Sequence, residues 1–145
     1  MLKGIPKLLS PALLKVLCEM GHGDELVIAD GNFPAESVGK DAVVIRADAC
    51  GVPEILDAVL QLFPLDAYTP QPVGLMEVVP GDDVPTPPIW STYREILQKH
   101  EPEHCGIESI ERFAFYERAR RAYAIIATGE EAIYANILLK KGVVK

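Results

Sequence analysis

Apolar residues recur along this chain in two alternating rhythms. Leu13, Leu14, Val16, Leu17 and Met20 fall mostly on one helical face. Ser10 is a good cap, and Pro11 suits the first helical position, so a helix begins there and stops at Gly21. The run 25–29 reads as a strand, followed by a loop over 30–40 rich in glycine, asparagine and proline. A second strand covers 42–45. After the turn Ala49-Cys50-Gly51, a helix from about 53 to 63 carries Ile55, Leu56, Val59 and Leu60 at helical spacing and ends at Pro64. Residues 73–79 read as a strand, 80–88 as a proline-rich flap, 89–100 as a helix and 107–110 as a short strand. An amphipathic helix over 113–121, a strand over 122–128, the turn Gly129-Glu130-Glu131 and a last strand over 133–139 complete the pattern. Interleaved strands and helices predict an α/β fold. The expected form is a single domain over residues 1–145, a sandwich with a central sheet flanked by helices.

Composition narrows the class. The 145 residues are 49% hydrophobic and 24% charged, enough for a real core and against disorder. A formal net charge of -7 gives no electrostatic reason to expect a nucleic acid or an anionic membrane as partner. Cys18, Cys50 and Cys105 are odd in number and lack metal-type spacing, so they read as buried thiols in a reducing compartment. No run reads as a signal peptide or a membrane span, and a cytoplasmic location is expected.

Candidate chemistry clusters in three places. His22 lies between Gly21 and Gly23, beside Asp24; it reads as a general acid/base or as an exposed loop histidine. Asp30 ends the first strand, where α/β sheets commonly place ligands, or it caps its own Asp30-Gly31-Asn32 turn. Together His22 and Asp30 are expected to form one proton-transfer site, with Asp30 orienting His22 or a polar substrate. His22, Asp24 and Asp30 lack the second histidine or cysteine that a zinc site needs, so no metal is expected. Phe113 and Tyr116 share a helix face, as do Arg112 and Tyr116; the run reads either as a core helix with a charged edge solvated through Glu117, Arg118, Arg120 and Arg121, or as Arg112 and Tyr116 offering polar groups to a sugar. Tyr134, Ala135 and Asn136 lie in the predicted last strand, and an asparagine among apolar residues needs partners there. No Gly-rich phosphate loop and no Gly-x-Ser-x-Gly elbow is present. Cys18 reads as core, which argues against a cysteine–histidine dyad.

The chain resembles the L-fucose mutarotase family, relatives of the D-ribose pyranases, along nearly its whole length. The likeness is carried by Met20-Gly21-His22-Gly23-Asp24, shared with the pyranases, and by Leu-Leu-Ser-Pro-Ala-Leu-Leu-Lys-Val-Leu from Leu8 and Ile-Arg-Ala-Asp from Ile45. Phe115-Tyr116-Glu117-Arg118-Ala119 and Tyr134-Ala135-Asn136-Ile137-Leu138-Leu139-Lys140-Lys141-Gly142 lean to the fucose branch. The resemblance implies an isomerase that interconverts α and β anomers of L-fucose by acid/base ring opening, without cofactor or metal. It implies His22 as proton donor, and Asp30, Arg112, Tyr134, Ala135 and Asn136 as sugar-binding positions; Tyr116 is the candidate for a second proton-transfer group. It also implies ring assembly into a homo-oligomer, a decamer in the family pattern, with sites near subunit contacts. Asn32 replaces a histidine of some relatives, and Ala135 a glycine; both bear on sugar preference. Pyranose–furanose exchange of ribose and a non-catalytic sugar-binding module are the competing readings.

Overall fold

Local capping sets where the helices of the computed structural model begin. All of residues 1–145 are described. Ser10 Oγ accepts the Leu13 amide at 3.2 Å, and Pro11 opens α1 (Pro11–Glu19). Next come β1 (Glu25–Ala29), a one-turn α2 (Ala35–Val38), β2 (Val43–Ala47) and α3 (Val52–Leu60). The amides at the start of α3 are taken by two carboxylates: Glu54 accepts Gly51 N–H at 2.6 Å, and Glu130 accepts Val52 N–H at 3.1 Å. β3 (Val73–Met76), α4 (Ile89–His100), β4 (Ile107–Ile110), α5 (Arg112–Arg121), β5 (Ala124–Thr128) and β6 (Ile137–Lys140) follow. Glu111 caps α5 by accepting the Phe113 and Ala114 amides, each at 3.0 Å.

The six strands form one sheet in the order β2-β5-β1-β6-β3-β4. β5 runs parallel to β1 and β2, and β3 parallel to β4; β6 is antiparallel to both β1 and β3. The two-residue period of a strand divides the core in two. Leu26 and Ile28 join Ile126, Ile137 and Leu139 on the face covered by α1, α3 and α4. Val27 and Ala29 join Ile125, Ala127 and Leu138 on the face covered by α2 and α5. Strands buried on both faces read as continuous apolar runs, as β1, β5 and β6 do. The α/β sandwich expected from the sequence is therefore present as three layers. No helix is long and apolar enough to cross a membrane.

Four local expectations need correction. The segment after Asp30 holds one helical turn, α2, because Ala35 and Val38 bury against β5 and α5; its turn-forming residues hid that packing. β3 ends at Met76, short of the predicted position 79. The last strand starts at Ile137, since Tyr134 takes φ 54° and breaks the extended run; residues 134–136 are a loop. The three cysteines are free, but Cys18 is exposed and Cys50 and Cys105 are half-buried. Cys18 turns about 100° away from its buried neighbour Leu17, a consequence of 3.6 residues per turn.

Leu138 is fully buried where β6 crosses between β1 and β3. Leu138→Ala is expected to lower stability by about 2–5 kcal/mol. Urea denaturation should show a lower midpoint with an unchanged slope. An unmoved midpoint would contradict tight packing at this crossing.

Candidate active site

The sheet brings its chemistry to one edge. The carboxyl ends of β1, β3 and β4 lie together, and antiparallel β6 starts among them, with Ile137 opposite Ile28 and Leu75. Asp30 follows β1, Arg112 follows β4 and Asn136 precedes β6, so three distant segments meet at one end of the sheet. They line a cavity of about 350 Å³ together with Tyr116 and Tyr134. That volume lies at the small end of the range for ligand sites. A larger and more open depression, about 520 Å³, lies beside Leu62 and His100 and takes in none of these residues.

Asp30 is buried at the cavity floor. Its carboxylate accepts the Asn32 amide at 3.0 Å and the Ala135 amide at 3.4 Å. Burial pushes its pKa above the ordinary aspartate value; the amides of Asn32, Ala135 and Phe33 oppose the rise, and Glu130 adds to it. Its own amide donates to Asn136 Oδ1 at 2.8 Å. The Asn136 carboxamide is thereby oriented, and its nitrogen keeps both N–H groups for a ligand. No fully buried side-chain polar atom lacks a partner, so that nitrogen opens onto accessible space.

Tyr134 is the only non-glycine residue at positive φ, a conformation a bulky side chain adopts only when its surroundings impose it. The surroundings here are explicit. Trp90 Nε1 donates to the Tyr134 carbonyl at 2.8 Å, and Tyr93 Oη donates to the Ala135 carbonyl at 2.6 Å. The Tyr134 hydroxyl donates to Asp82 at 2.5 Å and accepts the Val79 amide at 3.3 Å, tying the loop to the proline-rich flap. Hydrogen bonding to Asp82 raises the Tyr134 pKa. Ala135 serves through its backbone: the residue is fully buried and does not line the cavity. Arg112 Nε donates to Tyr116 Oη at 3.3 Å, and its guanidinium lies 5.7 Å from the Phe113 ring centre and 5.6 Å from that of Tyr116. Tyr116 lines the cavity, and accepting from Arg112 leaves its own hydroxyl proton to donate.

His22 is not there. It precedes β1, whereas Asp30 follows it, and five strand residues at about 3.3 Å each separate them by about 17 Å. Within one chain Asp30 therefore cannot orient His22, and the expected single site is divided between opposite edges of the sheet. The reason is the fully extended strand between them. At its own edge His22 Nε2 lies 3.0 Å from Asp66 Oδ1, and its ring centre is 5.4 Å from that of Tyr68. Its loop is clasped by β6, with Gly23 N–H to the Lys141 carbonyl and Lys141 N–H to that of Asp24, both 2.9 Å. Gly23 takes φ 88°, where a side chain would be strained. Lys141 turns inward, and its ammonium caps α1 through the carbonyls of Leu17 and Met20.

Sequence reasoning missed Asp66, Asp82, Trp90 and Tyr93. Asp82 stands in the recognised flap, so its place over the site was a question of folding. Asp66, Trp90 and Tyr93 sit in no motif, and only the tertiary contacts reveal them.

Comparison with known proteins agrees with this architecture. Residues 3–144 match the model of the RbsD / FucU transport protein family. A fucose mutarotase of Danio rerio is 52% identical over 146 residues, spanning 99% of this chain and 94% of the relative. The crystal structure of FucU from Bifidobacterium longum superposes with a TM-score of 0.95 at 60% identity, covering 99% of this chain and 100% of that one. A fucose mutarotase from Streptococcus pneumoniae, solved in complex with L-fucose, gives a TM-score of 0.92 at 51% identity over 99% and 100% of the two chains. With a family match and high identity along almost its whole length, this chain belongs to the RbsD / FucU family.

Proposed function

We propose that this protein is a mutarotase, an isomerase that interconverts the α and β anomers of L-fucose. The observation that carries the reading is the cavity at the carboxyl edge of the sheet, where Asp30, Arg112, Tyr116, Tyr134 and Asn136 converge. Its support is a chain 51% identical whose structure was solved with L-fucose bound. Hydroxyl-rich ligands need donors and acceptors in fixed directions, and these side chains supply both.

The chemistry follows from acid/base exchange. A base takes the proton of the anomeric hydroxyl while an acid protonates the ring oxygen. The bond from C1 to the ring oxygen breaks, its electron pair stays with that oxygen, and the aldehyde forms. Rotation about C1–C2 and reclosure give the other anomer. A positioned proton-transfer group contributes about 10²–10⁴-fold. His22 is the proton donor; Asp30, Arg112, Tyr134 and Asn136 hold hydroxyls, while Ala135 acts by giving its amide to Asp30; Tyr116 is the second proton-transfer group. Asp30, its pKa raised by burial, is a stronger base than an ordinary aspartate.

Because His22 and Asp30 stand at opposite edges, the complete site requires two subunits, the His22 edge of one against the cavity edge of the next. Exposed apolar residues flank both edges, Tyr68 beside His22, Phe113 and Ile133 beside the cavity. A head-to-tail contact between unlike surfaces closes into a ring when its rotation allows, and a decameric ring is the assembly proposed. The three free thiols accord with action in the cytoplasm.

Proton NMR saturation transfer between the anomeric signals of L-fucose should appear with catalytic protein and vanish with His22→Ala. Absence of transfer with the wild type would refute the activity. His22→Ala and Asp30→Asn should each be inactive alone, yet co-expressed mixed assemblies should regain activity, with roughly a quarter of sites intact for random mixing. Failure to complement would place the whole site within one subunit. Asn136→Ala should weaken L-fucose affinity about tenfold in calorimetry, the order of one lost hydrogen bond. The rate should also fall on the acid side as Asp30 protonates, at a pH above the ordinary aspartate range; a flat profile across that range would remove Asp30 from proton transfer.

A further inference from the structure

One continuous stretch of the flap holds Tyr134 at both ends. It begins after β3 with Val79-Pro80-Gly81-Asp82, where the Asp82 amide donates to the Val79 carbonyl at 3.0 Å and Gly81 takes φ 90°. Proline at the second position and a glycine at positive φ in the third are what a type II turn requires, so Pro80-Gly81 imposes this bend locally. The bend aims both of its ends at one atom. The Val79 amide donates to Tyr134 Oη at 3.3 Å, and Tyr134 Oη donates to Asp82 Oδ2 at 2.5 Å. The same stretch then enters α4, where Trp90 Nε1 holds the Tyr134 carbonyl at 2.8 Å.

A phenolic hydroxyl carries one proton and two lone pairs. Here the proton is committed to Asp82 and one lone pair to Val79. One lone pair is left for the cavity, which Tyr134 and Asp82 both line. Toward a ligand, Tyr134 is therefore an acceptor only. Hydrogen bonding to the carboxylate raises the Tyr134 pKa, which keeps the proton in place. The donors of the cavity, Arg112 and Asn136, stand on other segments. An acceptor at Tyr134 calls for a sugar hydroxyl that donates; an ether oxygen or a fluorine in that position has no proton to give.

We propose that Asp82 is a specificity-determining residue that acts through Tyr134: by holding the phenolic proton, it fixes the Tyr134 oxygen as an acceptor for a non-reacting hydroxyl of the sugar. The inference rests on the sugar-binding role given to Tyr134 in the proposed mutarotation. Without Asp82 the phenolic hydroxyl turns freely and donates as readily as it accepts, so it distinguishes less between a hydroxyl and a group that only accepts. Asp82 moves no proton of the reaction, and its loss falls on sugar binding rather than on proton transfer.

Asp82 is exposed, so Asp82→Ala leaves both cores intact. In the assembled protein this variant should raise KM for L-fucose about tenfold, the order of one lost hydrogen bond, with kcat held within about twofold. Asp82→Asn, whose side-chain carbonyl still accepts the phenolic proton, should bring KM back to within about threefold of the wild type. Calorimetry with three L-fucose analogues, fluorine replacing the hydroxyl at C2, C3 or C4, should find one that binds the wild type about tenfold more weakly than L-fucose does. On Asp82→Ala that preference should shrink to about threefold or less. Added to Tyr134→Phe, Asp82→Ala should weaken L-fucose binding no further. An unchanged KM in Asp82→Ala overturns the proposal, as does a wild type indifferent to all three analogues or a preference that Asp82→Ala leaves intact. Titration of 13C-tyrosine, with the Tyr134 signal identified by Tyr134→Phe, tests the contact without any sugar. Tyr134 should ionise at a lower pH in Asp82→Ala than in the wild type, and identical titrations overturn the proposal. Absence of L-fucose exchange by the wild type is a separate result: it removes the mutarotase reading, while the titration still decides whether Asp82 holds the Tyr134 proton.

Discussion

The pairing of β6 with β1 is the contact on which both chemical regions depend. β6 runs antiparallel in a sheet that is otherwise parallel around it, and its four residues lie opposite Glu25, Leu26, Val27 and Ile28. Its start therefore stands beside the end of β1 and sets Asn136 against the Asp30 amide. Its far end stands beside the start of β1 and clasps the His22 loop through Lys141. A one-residue slip would turn Leu138 and Leu139 onto the wrong faces of the sheet. The register that fills the two cores thus also places both chemical regions.

Asp30 and Asp66 are both buried aspartates, yet their environments drive them in opposite directions. Asp30 is desolvated among backbone amides with Glu130 near, and its pKa rises. Asp66 accepts the Tyr68 amide and has an imidazole and an ammonium for neighbours, and its pKa falls. Opposed shifts in like groups separate roles in acid/base sites. In the proposed exchange, the first is suited to take a proton, and the second stays charged behind the imidazole.

The segment 134–136 is where stability is spent on geometry. Tyr134 at φ 54° is unfavourable for an ordinary side chain by about 1–2 kcal/mol. Two carbonyls of the loop are bonded by Trp90 and Tyr93 from α4, and its tyrosine hydroxyl is held by the flap. The clamp comes from the apolar core side, where Tyr93 is fully buried, so the groups facing the cavity remain free.

The chain order of apolar runs determined the fold class by itself. Caps such as Ser10-Pro11 act within one turn, and buried strands show as unbroken apolar stretches, so α1, β1, α3, α4 and β5 were legible locally. Asp30, Arg112 and Asn136 were legible as candidates, since each is a polar residue next to the end of a patterned element, and Tyr116 because it lies one helical turn from Arg112. Spacing along the chain could not reveal that His22 and Asp30, eight positions apart, are held away from each other, because a loop and a strand give very different distances for the same number of residues. Nor could it find Asp66, 44 positions from His22, or Trp90 and Tyr93 behind Tyr134. Those contacts join segments distant in sequence, and only the sheet order and the direction of β6 bring them within hydrogen-bond reach.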